Sequence, residues 1–347
     1  MKKLVCLILA LVIATLAFAS CGTTQDKDTI GDTSSKTVYT VGICNFVDDA
    51  SLNQIIANIR SELDALGKQA HVAYKIKESN CNTDSQVLNQ IIQNFITDDV
   101  DLMVGVATPV AMAMQGATTV TPVVFAAVSD PLGAQLVDSL EVPGHNITGT
   151  SDYLDTNAIM NLIFAQNPEA KTIGLLYDLG QDSSKTAIAE AKAYLDQKGV
   201  SYKEYNGSNA VEIQAAVSSL VADQVDAVFT PSDNTVMAAE LSIYETLANA
   251  KIPHYAGADS FALNGAFVGY GVDYANLGRK TGEMVHDILF NKKDISQVSV
   301  RTFDNGIATV NTDICEKLGL DFEQVKATFL PLCTDVKSIK TAESFED

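Results

Sequence analysis

The chain repeats itself. Val41-Gly42-Ile43-Cys44 returns 132 residues later as Ile173-Gly174-Leu175-Leu176, and Val100-Asp101-Leu102-Met103-Val104 returns 125 residues later as Val225-Asp226-Ala227-Val228-Phe229. Thr121-Pro122-Val123-Val124 returns 131 residues later as Ile252-Pro253-His254-Tyr255. Three matches in one order, at nearly one shift, point to two copies of one architectural unit. Each matched run is short and apolar, the pattern of a strand buried on both faces. Longer amphipathic stretches separate the runs: the spacing predicts a strand over 40–44, a helix over 52–66, a strand over 72–77 and a helix over 84–96. Strands alternating with helices imply parallel sheets with crossover helices. The fold class expected is therefore α/β, with two similar open parallel-sheet, Rossmann-like lobes and a cleft between them. In such sheets ligands bind beyond the carboxyl ends of the strands, where helix N-termini direct backbone N–H groups outward.

The residues that follow each strand are accordingly the ones to inspect. After the first strand come Asn45, Phe46 and Ser51, with Asp49 or Ser51 as a helix cap. Thr108 precedes Pro109 and reads as another cap. Its counterpart in the second half, Ser232-Asp233-Asn234, supplies more hydrogen-bonding groups than a helix end requires. Ser129 and Asp130 in one half, and Asp259 in the other, occupy matching turns, and Tyr177 closes the first strand of the second half. These eleven residues are the candidate ligand contacts, the aspartates for a ligand ammonium and the aromatics for stacking. Turn formation, capping and core packing are the competing roles for the same side chains.

No chemistry beyond binding is indicated. The four histidines stand in dissimilar contexts, and no nucleophile-elbow, zincin or P-loop pattern occurs. No cofactor, metal ligand or catalytic residue is expected. Cys44, Cys81, Cys315 and Cys333 lack the paired short spacing of a zinc site, and no disulfide is assigned among them. With 23 basic against 43 acidic residues the net charge is −20. That excludes a nucleic-acid partner, which needs a basic face, and electrostatic adhesion to anionic lipid.

Residues 1–20 carry two lysines ahead of an apolar run too short to span a bilayer, the pattern of a signal peptide. Phe18-Ala19-Ser20-Cys21 resembles the lipobox of bacterial lipoproteins, with Phe18 departing from the usual aliphatic residue. The resemblance implies an acylated Cys21, carrying chains such as palmitate, as the membrane anchor. Residues 21–37 are polar without apolar periodicity and read as a flexible tether.

From about 38 to 330 the chain resembles the substrate-binding lipoproteins of ABC transporters, among them tryptophan- and tyrosine-binding members. The resemblance is carried by Asn45-Phe46-Val47, Ala107-Thr108-Pro109, the run from Phe125 to Pro131, that from Asn146 to Asp152, Pro231-Ser232-Asp233-Asn234, Asp259-Ser260-Phe261 and Gly271-Val272-Asp273-Tyr274. It departs where Asp49-Ala50-Ser51-Leu52-Asn53 replaces a common His-Pro-Ala-Leu-Asp, and where Cys81 replaces an alanine. The family implies a type I periplasmic-binding architecture crossed three times by the chain and joined by a hinge. Lobe 1 is then 38–150 plus 273–303, lobe 2 is 151–272 plus 304–334, and 335–347 is a C-terminal tail. The segments around Asp152 and Tyr274 fall at crossings. The resemblance also implies a non-enzymatic, monomeric protein on the outer face of the membrane. It would pass a small zwitterionic ligand, with an aromatic amino acid favoured, to a permease. A sensory or adhesive lipoprotein on the same scaffold is the alternative.

Overall fold

The computed structural model describes residues 37–303 and 305–345. The expected signal peptide, the Cys21 anchor and all but the last residue of the tether lie outside the described residues.

The first lobe is built on β1 (Val38–Asn45), β2 (Ala73–Asn80), β3 (Leu102–Val106), β4 (Val123–Ala126) and β5 (Ile147–Thr150). They form one parallel sheet in the order β2-β1-β3-β4-β5. The connecting helices are α1 (Ala50–Ala70), α2 (Ser85–Thr97) and α3 (Thr108–Ala117). α1 forms because Leu52, Ile55, Ile56, Ile59 and Leu63 recur at helical spacing and bury one face. Asp49 caps its start by accepting the Leu52 N–H at 3.0 Å, and His71 ends it in the left-handed region at φ 56°.

The second lobe repeats the plan with α4 (Thr156–Gln166), β6 (Thr172–Tyr177), α5 (Asp182–Lys198), β7 (Ser201–Asn206), α6 (Ala210–Ala222), β8 (Ala227–Thr230), α7 (Asn234–Asn249), β9 (His254–Ala256), the short α8 (Asp259–Leu263) and β10 (Val268–Gly271). The order β7-β6-β8-β9-β10 matches that of the first sheet strand for strand. The three repeated sequence motifs therefore fall on β1 and β6, β3 and β8, and β4 and β9. Tyr255 meets Phe267 edge to face at 5.4 Å in this lobe's core. Each fully buried aromatic there contributes on the order of 1.5–3 kcal/mol.

α9 (Tyr274–Leu289) returns to the first lobe and packs on α1. Close approach is permitted by Gly278, where a Cβ would stand 2.5 Å from the Ile55 carbonyl oxygen. The chain then crosses back and adds β11 (Ile307–Asn311), antiparallel to β10, followed by α10 (Thr312–Leu318), α11 (Phe322–Phe329) and β12 (Asp335–Ile339), parallel to β11. Residues 335–339, expected in a tail, are thus an edge strand of the seven-stranded sheet. Val336 is buried there, and two apolar residues, Val336 and Ile339, that do not alternate with the polar ones give little strand signal in sequence.

The lobes are joined at three connections. The first and third run side by side: Ser151 N–H donates to Arg301 O at 2.8 Å, and Arg301 N–H to Gly149 O at 2.9 Å. The second leads from β10 into α9. Among the described residues no helix is long and apolar enough to cross a membrane.

Candidate functional site between the lobes

Asp or Asn side chains cap most helices of this chain: Asp49, Asp84, Asp155, Asn209, Asp233, Asp273 and Asp321 each accept N–H groups of the first turn. Among described helices of eight residues or more, two lack a side-chain cap, α3 and α5. They come from opposite lobes and open onto the same interlobe cavity, which Thr108 at the start of α3 and Ser183 at the start of α5 both line. The free N–H groups and aligned peptide dipoles of two helix ends favour a negative charge there.

Both hydroxyls are buried, and neither Thr108 Oγ1 nor Ser183 Oγ has a hydrogen-bond partner among the described residues. Such a group destabilises the fold by about 1–3 kcal/mol unless something else satisfies it. The same cavity is bordered by Ala107 at φ 77° and Ala127 at φ 54°, left-handed conformations that disfavour a Cβ. Strain and unsatisfied polarity thus fall on one spot, as they do at binding sites.

Asp152, on the first connection, provides the opposite charge. It is buried, accepts the Ser129 hydroxyl at 3.1 Å and lies 3.5 Å from the Tyr274 hydroxyl. Burial pushes its carboxyl up to about 6, against the lowering effect of the Ser129 hydrogen bond. No lysine or arginine is among the described residues lining the cavity. The space left is about 20 Å³, enough for one water. The cleft is shut by Ser51, which donates to the Asp259 carboxylate at 2.6 Å, and by Thr186, which donates to Asp130 at 2.6 Å.

Of the residues singled out in the sequence, Ser51, Thr108, Ser129, Ser232 and Asn234 line this cavity. Ser232 donates to Gly257 O at 2.9 Å and Asn234 to the Gln181 side chain at 3.0 Å. The others are engaged elsewhere. Asp233 is fully buried: one oxygen accepts the Thr235 and Val236 N–H groups, the other the Asp178 N–H and the Ser184 hydroxyl. Its capacity is consumed within its own lobe, which is the physical reason it caps α7 and does not border the cavity. Asp130 and Asp259 serve the interlobe bonds just described, and burial raises Asp259 above the usual carboxylate range. Tyr177 directs its hydroxyl to Glu204 at 2.5 Å, Phe46 lies in the first lobe's core, and Asn45 donates to Asn53 at 3.2 Å. Thr108 is the first residue of α3, with Ala107 at the cap position in place of the expected Thr108.

Three polar residues of the cavity escaped the sequence reading. Asp152 and Tyr274 fall at crossings and read as hinge structure; only the tertiary fold turns them inward. Ser183 follows Gln181-Asp182, a run that reads as an ordinary capped helix start, so no sequence signal marked it.

Two α/β lobes closing on a cavity with an anion-favouring and an acidic wall define a cleft-binding solute receptor of the type I periplasmic-binding architecture. A profile described as ABC transporter substrate binding protein matches residues 40–327, and the chain belongs to that family. It is 30% identical over 346 residues to a tyrosine-binding protein of Clostridioides difficile strain R20291, covering 99% of this chain and 97% of that one. An ABC domain from Streptococcus pneumonia in complex with L-Trp superposes with a TM-score of 0.79 at 30% identity, covering 86% of this chain and 100% of the other. A ligand-free, open substrate-binding protein with adhesive properties from Clostridium difficile gives a TM-score of 0.65 at 30% identity, covering 88% and 100%. The family consists of extracytoplasmic solute-binding proteins that serve ABC transporters.

Proposed function

We propose that this chain closes its lobes on a zwitterionic amino acid, an aromatic one favoured, and delivers it to an ABC permease. The observation that carries the reading is the facing pair of uncapped helix N-termini, with the unsatisfied hydroxyls of Thr108 and Ser183, beside the buried Asp152 carboxylate. The ligand carboxylate sits between the helix ends and accepts from the two hydroxyls. Its ammonium pairs with Asp152, supported by Ser129 and Tyr274. A space of about 20 Å³ does not hold an amino acid, so the lobes part to admit one and close again around it.

The higher TM-score against the L-Trp complex than against the open relative supports the closed reading. The two relatives named for tyrosine and L-Trp support the aromatic preference. We assign binding without turnover, a monomeric state, and anchoring through an acylated Cys21. The adhesive relative favours a second reading, surface adhesion on the same scaffold.

Isothermal titration of the protein lacking residues 1–21 with Tyr, Trp and Phe tests the reading. The wild type binds at least one of them, and Asp152→Asn weakens it about thirtyfold or more. Absence of binding by the wild type, or an Asp152→Asn variant of unchanged affinity, refutes it.

A further inference from the structure

A second cavity of about 430 Å³ lies between the lobes at the first and third connections. It adjoins the small one, and Ser129 and Ser183 line both. Leu132, Leu140, Leu154 and Phe303 give it a mainly apolar wall, and its size is that of a small-molecule site. No lysine or arginine is among the described residues that line it, whereas Asp130 and Glu190 both do.

The face of α5 orders this space. Ser183, Thr186 and Ala187, and Glu190 recur at helical spacing and all border the cavity. Ser183 belongs to the head-group end and Glu190 stands two turns further on, about 10 Å along the helix axis. Extended tyrosine spans somewhat less than this from carboxylate to hydroxyl, which leaves room for a hydrogen bond to Glu190. Asp130 is already held by Thr186 and by the Gly133 N–H at 2.7 Å.

We infer that the 430 Å³ cavity is the side-chain compartment of the amino-acid site, and that Glu190 selects side chains bearing a hydrogen-bond donor, a phenol or an indole. The inference rests on the amino-acid reading of the head-group cavity. A ring fills the apolar wall, and its O–H or N–H donates to the Glu190 carboxylate. Acidic side chains are repelled by Asp130 and Glu190, with no lysine or arginine among the described lining residues to offset them.

The chain has no tryptophan, so the fluorescence of bound L-Trp is free of protein indole signal. Bound L-Trp emits to the blue of the free amino acid and is shielded from acrylamide. In titrations Tyr binds about tenfold more tightly than Phe, and Glu190→Leu lowers Tyr to the level of Phe while leaving Phe unchanged. Ala187→Phe, which fills the cavity, weakens all three aromatics; if that variant does not fold, the Glu190→Leu series and the emission decide. Water-like emission of bound L-Trp, or equal losses for Tyr and Phe in Glu190→Leu, overturns the inference. When those results accompany wild-type binding that Asp152→Asn abolishes, the head-group reading stands and the side-chain compartment alone fails. A wild type that binds no amino acid overturns both.

Discussion

Ser51, near the start of α1 in the first lobe, donates its hydroxyl to the Asp259 carboxylate of the second lobe at 2.6 Å and accepts the Ser260 N–H at 3.2 Å. The Thr186–Asp130 bond does the same work beside the larger cavity, at 2.6 Å and in the opposite sense, with the hydroxyl on the second lobe and the carboxylate on the first. Hydrogen bonds to carboxylates are short and comparatively strong. Both exist only with the lobes together, so they act on the closed form and not on the encounter.

Ser51→Ala and Thr186→Val each speed ligand dissociation about tenfold with little change in association. Stopped-flow kinetics with an aromatic amino acid measures both rates. Losses confined to association contradict the latch role.

Acidification stabilises the ligand-free protein. Burial pushes Asp152 and Asp49 up to about 6, each well above the ordinary value of 3.8. Asp152 faces the Ser129 and Tyr274 hydroxyls; Asp49 accepts the Leu52 N–H and faces the charge of Asp259. A folded state that holds protons more tightly than the unfolded chain gains stability as pH falls. The contribution is complete below about pH 4 and is lost as pH rises through 6, at most about 3 kcal/mol for each group. Glu204, Glu283 and Asp287 are held low and oppose this at the acidic end of the range, and His286, lowered by burial, opposes it nearer neutrality. The melting temperature therefore rises by roughly 5 °C between pH 7.5 and 5. Added amino acid acts against this trend: its ammonium needs Asp152 ionised, so the Asp152 share is removed and that of Asp49 remains, which roughly halves the rise. Calorimetry at stepped pH, with and without ligand, checks both.

Gly278→Ala strains the seam between α9 and α1. A Cβ there meets the Ile55 carbonyl oxygen at 2.5 Å and the Asn58 side chain at 2.8 Å, and backbone cannot yield as a flexible side chain does. A loss of about 1–3 kcal/mol is expected by denaturant titration, whereas Gly116→Ala, with nothing within 4 Å, is neutral or stabilising.

Cys21→Ala moves the protein from the membrane to the soluble extracytoplasmic fraction, as read by immunoblotting of fractions and by loss of incorporated palmitate label. Retention of the unlabelled variant on the membrane points to another anchor.

The fold was legible because its strongest signal is redundant: Ile173-Gly174-Leu175 repeats Val41-Gly42-Ile43, and buried parallel strands leave apolar runs that no loop imitates. The site was less so. Ser51, Thr108 and Ser129 follow strands and could be found by position, but Asp233 carries the same positional mark and spends all its capacity on the α7 cap and the Asp178–Ser184 corner. Asp152 becomes informative only through the fold that buries it, and Ser183 only through what does not bond to it; an unmade hydrogen bond leaves no trace in sequence.

The helix that covers the first lobe is encoded far from the rest of it. Leu277, Met284 and Val285 of α9 complete a core whose sheet ends at Thr150, so that core stays open until more than a hundred further residues have been synthesised. A ribosome part-way along this message holds a first half that cannot finish folding, and a truncated product has no intact half to salvage.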